Sequence, residues 1–242
     1  MGRLATVKAT PYVDRPQAGG YNIYESALML PTPGHTVFVV DDDEAVRKAV
    51  SRLLRSAGIA AAVFASPREF LAQYNPDTPG CLVLDMAMPD FDGLQLQTAL
   101  NEKGCILPII FLTGHGDVSK SVQAMKQGAF DFLSKPVKDK DLLTAVRAAI
   151  ERDTVARREQ AELSEIRARL DTLTPREREV LEHVATGKLN KQVAGDLGIT
   201  EATVKMHRAR VIAKMKVQSV AELARLTERC GIRGTNSLKS AA

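Results

Sequence analysis

The run Cys81-Leu82-Val83-Leu84-Asp85-Met86-Ala87-Met88-Pro89-Asp90-Phe91-Asp92-Gly93 decides how the rest of the chain is read. Its first four residues make the short apolar stretch of a strand buried on both faces, and a loop marked by Pro and Gly follows a single aspartate. Asp85 is therefore expected where a strand stops. Three other apolar runs end in the same way: Val37 to Val40 meets Asp41 and Asp42, Pro108 to Leu112 meets Thr113, and Phe132 to Ser134 meets Lys135. In an open parallel sheet, ligands bind outside the carboxyl ends of the strands near a topological switch point, so residues far apart in sequence can converge there. Taken singly, an Asp-Asp pair is commonly a turn or a helix cap, and a Thr-Gly or Lys-Pro is structural. Taken together, at the ends of separate strands, they point to one site able to work on a phosphate.

Outward from that stretch, residues 36 to 150 alternate strands and helices. Glu44 to Ala57 carries Val46, Val50, Leu53 and Leu54 at helical spacing and stops at Gly58. Strands are expected at Ile59 to Phe64 and at the runs above, with helices over Pro67–Tyr74, Leu94–Glu102, Ser119–Gln127 and from Asp139 onward. Five such βα units imply a doubly wound, five-stranded parallel sheet, because parallel strands need right-handed helical crossovers.

Residues 1–35 hold Gly19-Gly20 and four prolines with no sustained period, and read as a flexible extension. Met29 is a candidate start of the natural protein, which an intact mass would test. Residues 151–171 read as a helical linker in which Leu163, Ile166, Leu170 and Leu173 recur at spacings of three, four and three. That stripe fits either a short self-association seam or a helix docked on one neighbour.

Residues 172–242 hold four helices with clear punctuation, and form a small all-α domain. Thr174-Pro175-Arg176-Glu177 is a capping box with Pro at the first helical position, and Gly187 ends that helix. Asn190 opens a short helix that stops at Gly198, and Thr200 caps a third helix running to Lys216. Ser219 to Glu222 is a second capping box. A short helix, a tight turn at Gly and a longer basic helix make a helix-turn-helix.

Charge separates the two parts. Residues 36–150 carry 12 basic against 14 acidic side chains, whereas residues 172–242 carry 13 against 7. The basic part calls for a polyanion partner. It contains no Phe, Tyr or Trp, which favours duplex DNA over RNA, whose readers stack bases on aromatic rings. The three cysteines show no metal-type spacing, no apolar run reaches about 18 residues, and no compact secretory stretch opens the chain. A cytoplasmic protein with reduced thiols and no membrane partner is expected.

The strand-end set resembles the receiver domain of two-component response regulators, flavodoxin-like in fold. Residues 172–228 resemble the LuxR-type helix-turn-helix through Leu173-Thr174-Pro175-Arg176-Glu177-Arg178-Glu179-Val180-Leu181, Asn190-Lys191-Gln192-Val193-Ala194 and Thr203-Val204-Lys205-Met206-His207-Arg208. Together they are similar to NarL/FixJ-type response regulators. The resemblance implies that Asp85 accepts a phosphoryl group from a sensor histidine kinase, with Thr113 and Lys135 assisting. It implies Mg²⁺ held by Asp42, Asp85 and the Ala87 carbonyl, with Asp41 acting through water; crowded carboxylates need such a hard cation. Phe132, three residues before the lysine, would move inward with Thr113 as a switch, and His115 is a further candidate near the acyl phosphate. Homodimerisation on phosphorylation is implied, through the fourth helix, fifth strand and fifth helix or through linker or C-terminal contacts. Promoter DNA and RNA polymerase are the implied partners. On the third C-terminal helix, Val204, Val211 and Met215 share the core face with His207 near it, and the opposite face carries Met206 and Ala209 edged by cations. Lys205, Met206 and Ala209 are expected nearest the bases, and Thr203, Arg208, Arg210, Asn190 and Lys191 at phosphates. A phosphotransfer or phosphatase enzyme using the same aspartates is the rival reading, but Met86 and Ala87 supply no acid or base beside Asp85.

Overall fold

A computed structural model describes residues 34–231 apart from residues 90 and 115–117, and the backbone alone of Val118. The candidate start Met29 and the loop candidate His115 therefore lie outside the described residues. Strands β1 (Thr36–Val40), β2 (Ala60–Phe64), β3 (Gly80–Asp85), β4 (Ile109–Thr113) and β5 (Asp131–Ser134) form one parallel sheet in the order β2-β1-β3-β4-β5. The strand order turns between β1 and β3, so this is where the doubly wound sheet opens its crevice.

Burial explains why the central strands were readable as apolar runs. Every residue of β3 and β4 is buried, because helices cover both faces. The edge strand β5 alternates between half-buried and exposed positions instead. Alternate residues of β1 and β3 enter different cores. Phe38, Val40, Leu82 and Leu84 pack with residues of α2 (Pro67–Gln73), α3 (Gly93–Glu102) and α4 (Val118–Lys126). Val37, Val39, Cys81 and Val83 pack with α1 (Glu44–Ser56) and the first part of α5 (Asp139–Asp171).

Local chemistry sets the ends of these helices. Asp43 caps α1 by accepting from the Ala45 N–H, and Asp92 with Gln95 makes a reciprocal capping box on α3. Gly93, first in α3, comes so close to the end of β3 that a Cβ there would stand 2.5 Å from the Asp85 carbonyl oxygen. This contact requires glycine.

Helix α5 runs unbroken for 33 residues with no Gly or Pro. The stretch 151–171 therefore belongs to the same helix that closes the sheet, and its far end packs elsewhere. Ile166, Leu170 and Leu173 are buried in a third core with Val180, Leu181, Val184, Val211, Met215 and Leu223. Three of the four residues of the apolar stripe thus dock within their own chain, while Leu163 is half-buried outside that core. That core is made by α6 (Pro175–Ala185), α7 (Asn190–Leu197), α8 (Glu201–Met215) and α9 (Val220–Arg229) around the end of α5. Thr174 and Glu177 form the capping box of α6, and Gly198 closes α7 in the left-handed region at φ 64°. At α9 only half of the expected box forms. Ser219 accepts from the Glu222 N–H, but Glu222 reaches one residue further back, to the Gln218 N–H.

Candidate functional site

Three of the strand ends place charge in one pocket. Asp41 directly follows β1 and is fully buried, Asp85 ends β3 at 6% exposure, and Asp42 faces solvent. One carboxylate oxygen from each lies within 4.8 Å of the others. Lys135, just beyond β5, donates to Asp41 Oδ2 at 2.7 Å and lies 3.1 Å from Asp85 Oδ1. Thr113 ends β4 and is buried, and its carbonyl accepts the Lys135 N–H at 2.7 Å. The strand-end set is thereby brought to one edge of the sheet.

The electrostatics follow from crowding. Burial raises the proton affinity of Asp85, and the Asp41 charge raises it further, against the lowering effect of Lys135. Burial pulls Lys135 down, but its bonds to Asp41 and Asp85 outweigh this and hold it above its ordinary value. Lys135 is therefore a cation at neutral pH. Asp41 and Asp85 share this one ammonium, and Asp42, the third carboxylate of the cluster, stands on the exposed side without a partner cation among the described residues. Such a pocket suits a hard cation with oxygen ligands.

Other residues settle into supporting places. The Ala87 N–H points to Asp85 Oδ1 at 3.4 Å. Phe132, on edge strand β5 opposite Phe111, is 43% exposed. Arg47, which the sequence reading passed over, donates from Nη1 to the Asp41 carbonyl at 2.6 Å, while the Asp43 N–H donates to Asp41 Oδ1 at 2.8 Å. Together they fix both ends of the Asp41 residue. The available signal was a cation one turn into the helix that follows the acidic run.

The helix-turn-helix candidates divide into two groups. Val204, Val211 and Met215 are buried under α8, and Lys205, Met206, Ala209 and Arg210 are exposed on its far side. Lys191 is exposed at the start of α7, and His207 is half-buried. Arg208 and Asn190 instead hold each other, with Nη1 donating to Oδ1 at 2.9 Å across α7 and α8. Thr203 is tied to the cap, its hydroxyl 2.8 Å from that of Thr200. Arg176 of α6 donates to the Leu197 carbonyl, closing the end of α7.

The family model of the response regulator receiver domain matches residues 37–147, and that of the bacterial regulatory proteins of the LuxR family matches residues 171–227. The chain belongs to the two-component response regulators. This regulator is 47% identical to nodulation protein W of Bradyrhizobium diazoefficiens over 82% of its own length and 91% of that protein's. It is 45% identical to response regulator protein TodT of Pseudomonas putida, covering 80% and 85% of the two chains. Transcriptional regulatory protein FixJ of Azorhizobium caulinodans is 43% identical over 81% and 93%. Among solved structures, response regulator StyR superposes with a TM-score of 0.73 at 42% identity, covering 81% of this regulator and 99% of that chain. Full-length FixJ from B. japonicum gives 0.50 at 38% identity, covering 82% and 98%. Membership makes a sensor kinase the upstream partner and DNA the target of the regulator. Among its described residues no helix is long and apolar enough to cross a membrane.

Proposed function

We propose that Asp85 is the phosphoacceptor of a cytoplasmic, phosphorylation-gated transcriptional regulator. The observation that carries this reading is the convergence of Asp41, Asp42, Asp85 and Lys135 at the carboxyl edge of the sheet. An Asp85 carboxylate oxygen attacks the phosphorus of a phosphohistidine on the sensor kinase. The P–O bond forms, the P–N bond breaks, and the released imidazole takes up a proton. Lys135 stabilises charge on the transferring group, and the Thr113 hydroxyl hydrogen-bonds the phosphoryl product.

The crowding of three carboxylates fits a resident Mg²⁺, which Asp42, Asp85 and the Ala87 carbonyl would hold, with Asp41 acting through water. When bound, Mg²⁺ supplies positive charge against the phosphoryl oxygens. Phe132, half-exposed on the edge strand, then turns inward as Thr113 moves. The altered face promotes homodimerisation, and a dimer suits a two-fold promoter site from which RNA polymerase is engaged. The exposed side chains of Lys205, Met206 and Ala209 read bases, while Lys191, Thr203 and Arg210 contact phosphates. Arg208 reaches the backbone from its bond with Asn190. Residues 36–150, which include the first part of α5, read as the receiver, and residues 172–242 as the DNA-binding domain.

The test is phosphorylation by acetyl phosphate with and without Mg²⁺, read by phosphate-affinity electrophoresis and by binding to a promoter-fragment pool at fixed salt. The wild type gains a shifted band and tighter sequence-selective binding, and Asp85→Ala gains neither. Equal binding in every condition overturns the gating, and a shifted band in Asp85→Ala overturns the assignment of the acceptor.

A further inference from the structure

The opposite edge of the sheet holds a second buried aspartate. Asp153 of α5 is fully buried and accepts the Gly80 N–H at 2.9 Å, where β3 begins. Arg157, one turn later, donates through Nε to both Asp153 oxygens at 2.8 and 3.0 Å. Its two remaining nitrogens reach the carbonyls of Pro76 at 2.9 Å and Thr78 at 3.0 Å. A planar guanidinium can make all these bonds at once, whereas an ammonium on a flexible stem cannot. The loop before β3 is thus stapled to the helix over residues 76–80.

The same corner also includes the start of β1. The Thr36 N–H donates to the Pro79 carbonyl, and His35 Nε2 lies 3.1 Å from Thr154 Oγ1 on α5. Gly80 has φ 153°, and a Cβ there would lie 1.8 Å from the Thr36 carbonyl oxygen. No other residue fits this junction.

Beyond the staple residues 158–161 stand exposed, Glu162 and Leu163 are half-buried, and Ser164 and Glu165 are exposed again before α5 enters the other core at Ile166. There Arg169 donates to the Met215 carbonyl and Glu162 pairs with Arg229 of α9. One helix without Gly or Pro is therefore fixed at both ends, with about one turn between Arg157 and Glu162 and about two before Ile166.

We propose that the Asp153–Arg157 clasp is an interdomain coupling device: it fixes the bearing of α5 on the receiver, so rearrangement at the phosphorylated edge reaches the DNA-binding module as a rigid-body shift. The route is short, because Asp85 and Gly80 are the two ends of β3. The gating part of this proposal rests on the phosphorylation reading above.

The experiment uses the full chain as wild type, Arg157→Ala and Arg157→Lys. Spin labels at Arg52→Cys and Arg225→Cys, in a Cys105→Ser/Cys230→Ser background, report the distance between α1 and α9. Acetyl phosphate labelling and promoter binding are measured in parallel, and thermal melts identify folded variants. A narrow distance distribution in wild type is expected to broaden in either Arg157 variant while Asp85 labelling is unchanged. The phosphorylation-dependent gain in DNA affinity is expected to fall about fivefold or more. Arg157→Lys keeps the charge but loses the fork, so it carries the test if Arg157→Ala does not fold. A folded variant with normal labelling and an unaltered distribution or unaltered gain overturns the coupling. If wild type itself shows no gain, the phosphorylation reading fails and the distances alone decide the clasp: broadening keeps it as the anchor of α5, and no broadening overturns it.

Discussion

The two edges of the receiver sheet each bury an aspartate against a cation, yet they are built for different ends. At the amino edge, Asp153 faces Arg157, and every guanidinium nitrogen has an acceptor. At the carboxyl edge, Asp41 and Asp85 share one lysine, and a third carboxylate, Asp42, opens to solvent. The first arrangement is closed in charge and in hydrogen bonds and therefore holds two parts of the chain together. The second is left short of positive charge, which suits a hard cation with oxygen ligands. The balance of charge distinguishes a staple from a site, since the two aspartates, Asp41 and Asp153, are equally buried.

Four expectations break or sharpen this contrast. The largest effect belongs to the closed edge. Asp153→Ala leaves Arg157 facing a buried gap and is expected to cost about 3–5 kcal/mol in urea unfolding. A cost below about 1 kcal/mol would remove the staple from the comparison.

The pair Glu177–Lys214, inside the DNA-binding module, extends the closed type to a third place. Lys214 and the Thr174 N–H hold the Glu177 carboxyl down at about 2. Its stabilisation is complete above the ordinary value of 4.5 and is lost as pH falls from there through about 2. Glu177→Gln is expected to cost about 1–2 kcal/mol at neutral pH. The gap between the two urea midpoints should close across that acid window, and a gap independent of pH would contradict the pairing.

Metal addition addresses the open edge. Mg²⁺ at ten times its Kd is expected to raise the unfolding free energy of wild type by about 1.4 kcal/mol, with little effect on Asp85→Asn. Equal melting shifts in both proteins would move the metal away from this pocket.

The smallest effect has the opposite sign from the first. Because burial and Asp41 raise the proton affinity of Asp85, ionised Asp85 opposes folding in metal-free protein. Asp85→Asn is expected to gain up to about 1 kcal/mol at neutral pH after solvent screening. That gain shrinks as pH falls through the raised native value and vanishes below 3.8, where both states are protonated. Urea midpoints across pH would show it, and a destabilised Asp85→Asn would mean the open edge is balanced after all.

The open edge was legible in the sequence for a physical reason. Strands covered on both faces must be apolar throughout, so Asp41, Asp85 and Thr113 interrupt a pattern and announce where each strand stops. Lys135 follows the half-exposed edge strand and was legible through the set it completes. The helix-turn-helix was legible from Thr174, Gly198 and Thr200, because caps and left-handed turns demand particular residues. The closed edge left no such trace. Asp153 and Arg157 bind backbone groups 73 to 81 positions away, and backbone groups look alike at every residue. Read locally, they are one more mixed-charge pair on a helix. Arg47 was hidden in the same manner, since its acceptor is the Asp41 carbonyl. The stripe at Ile166, Leu170 and Leu173 showed that a face was apolar, but spacing says nothing of which partner covers it.

The unbroken α5 also turns chain length into an angle. Each residue of an α-helix advances about 1.5 Å and rotates about 100°. One residue inserted among 158–161 would therefore swing the C-terminal module about a quarter-turn around the axis of α5, whereas seven would return it to within about 20° of its starting phase and some 10 Å further out. The stretch between the two modules works as a screw thread. Promoter binding across an insertion series should rise and fall with the pitch of the helix, and a smooth decline with length would show that the thread slips.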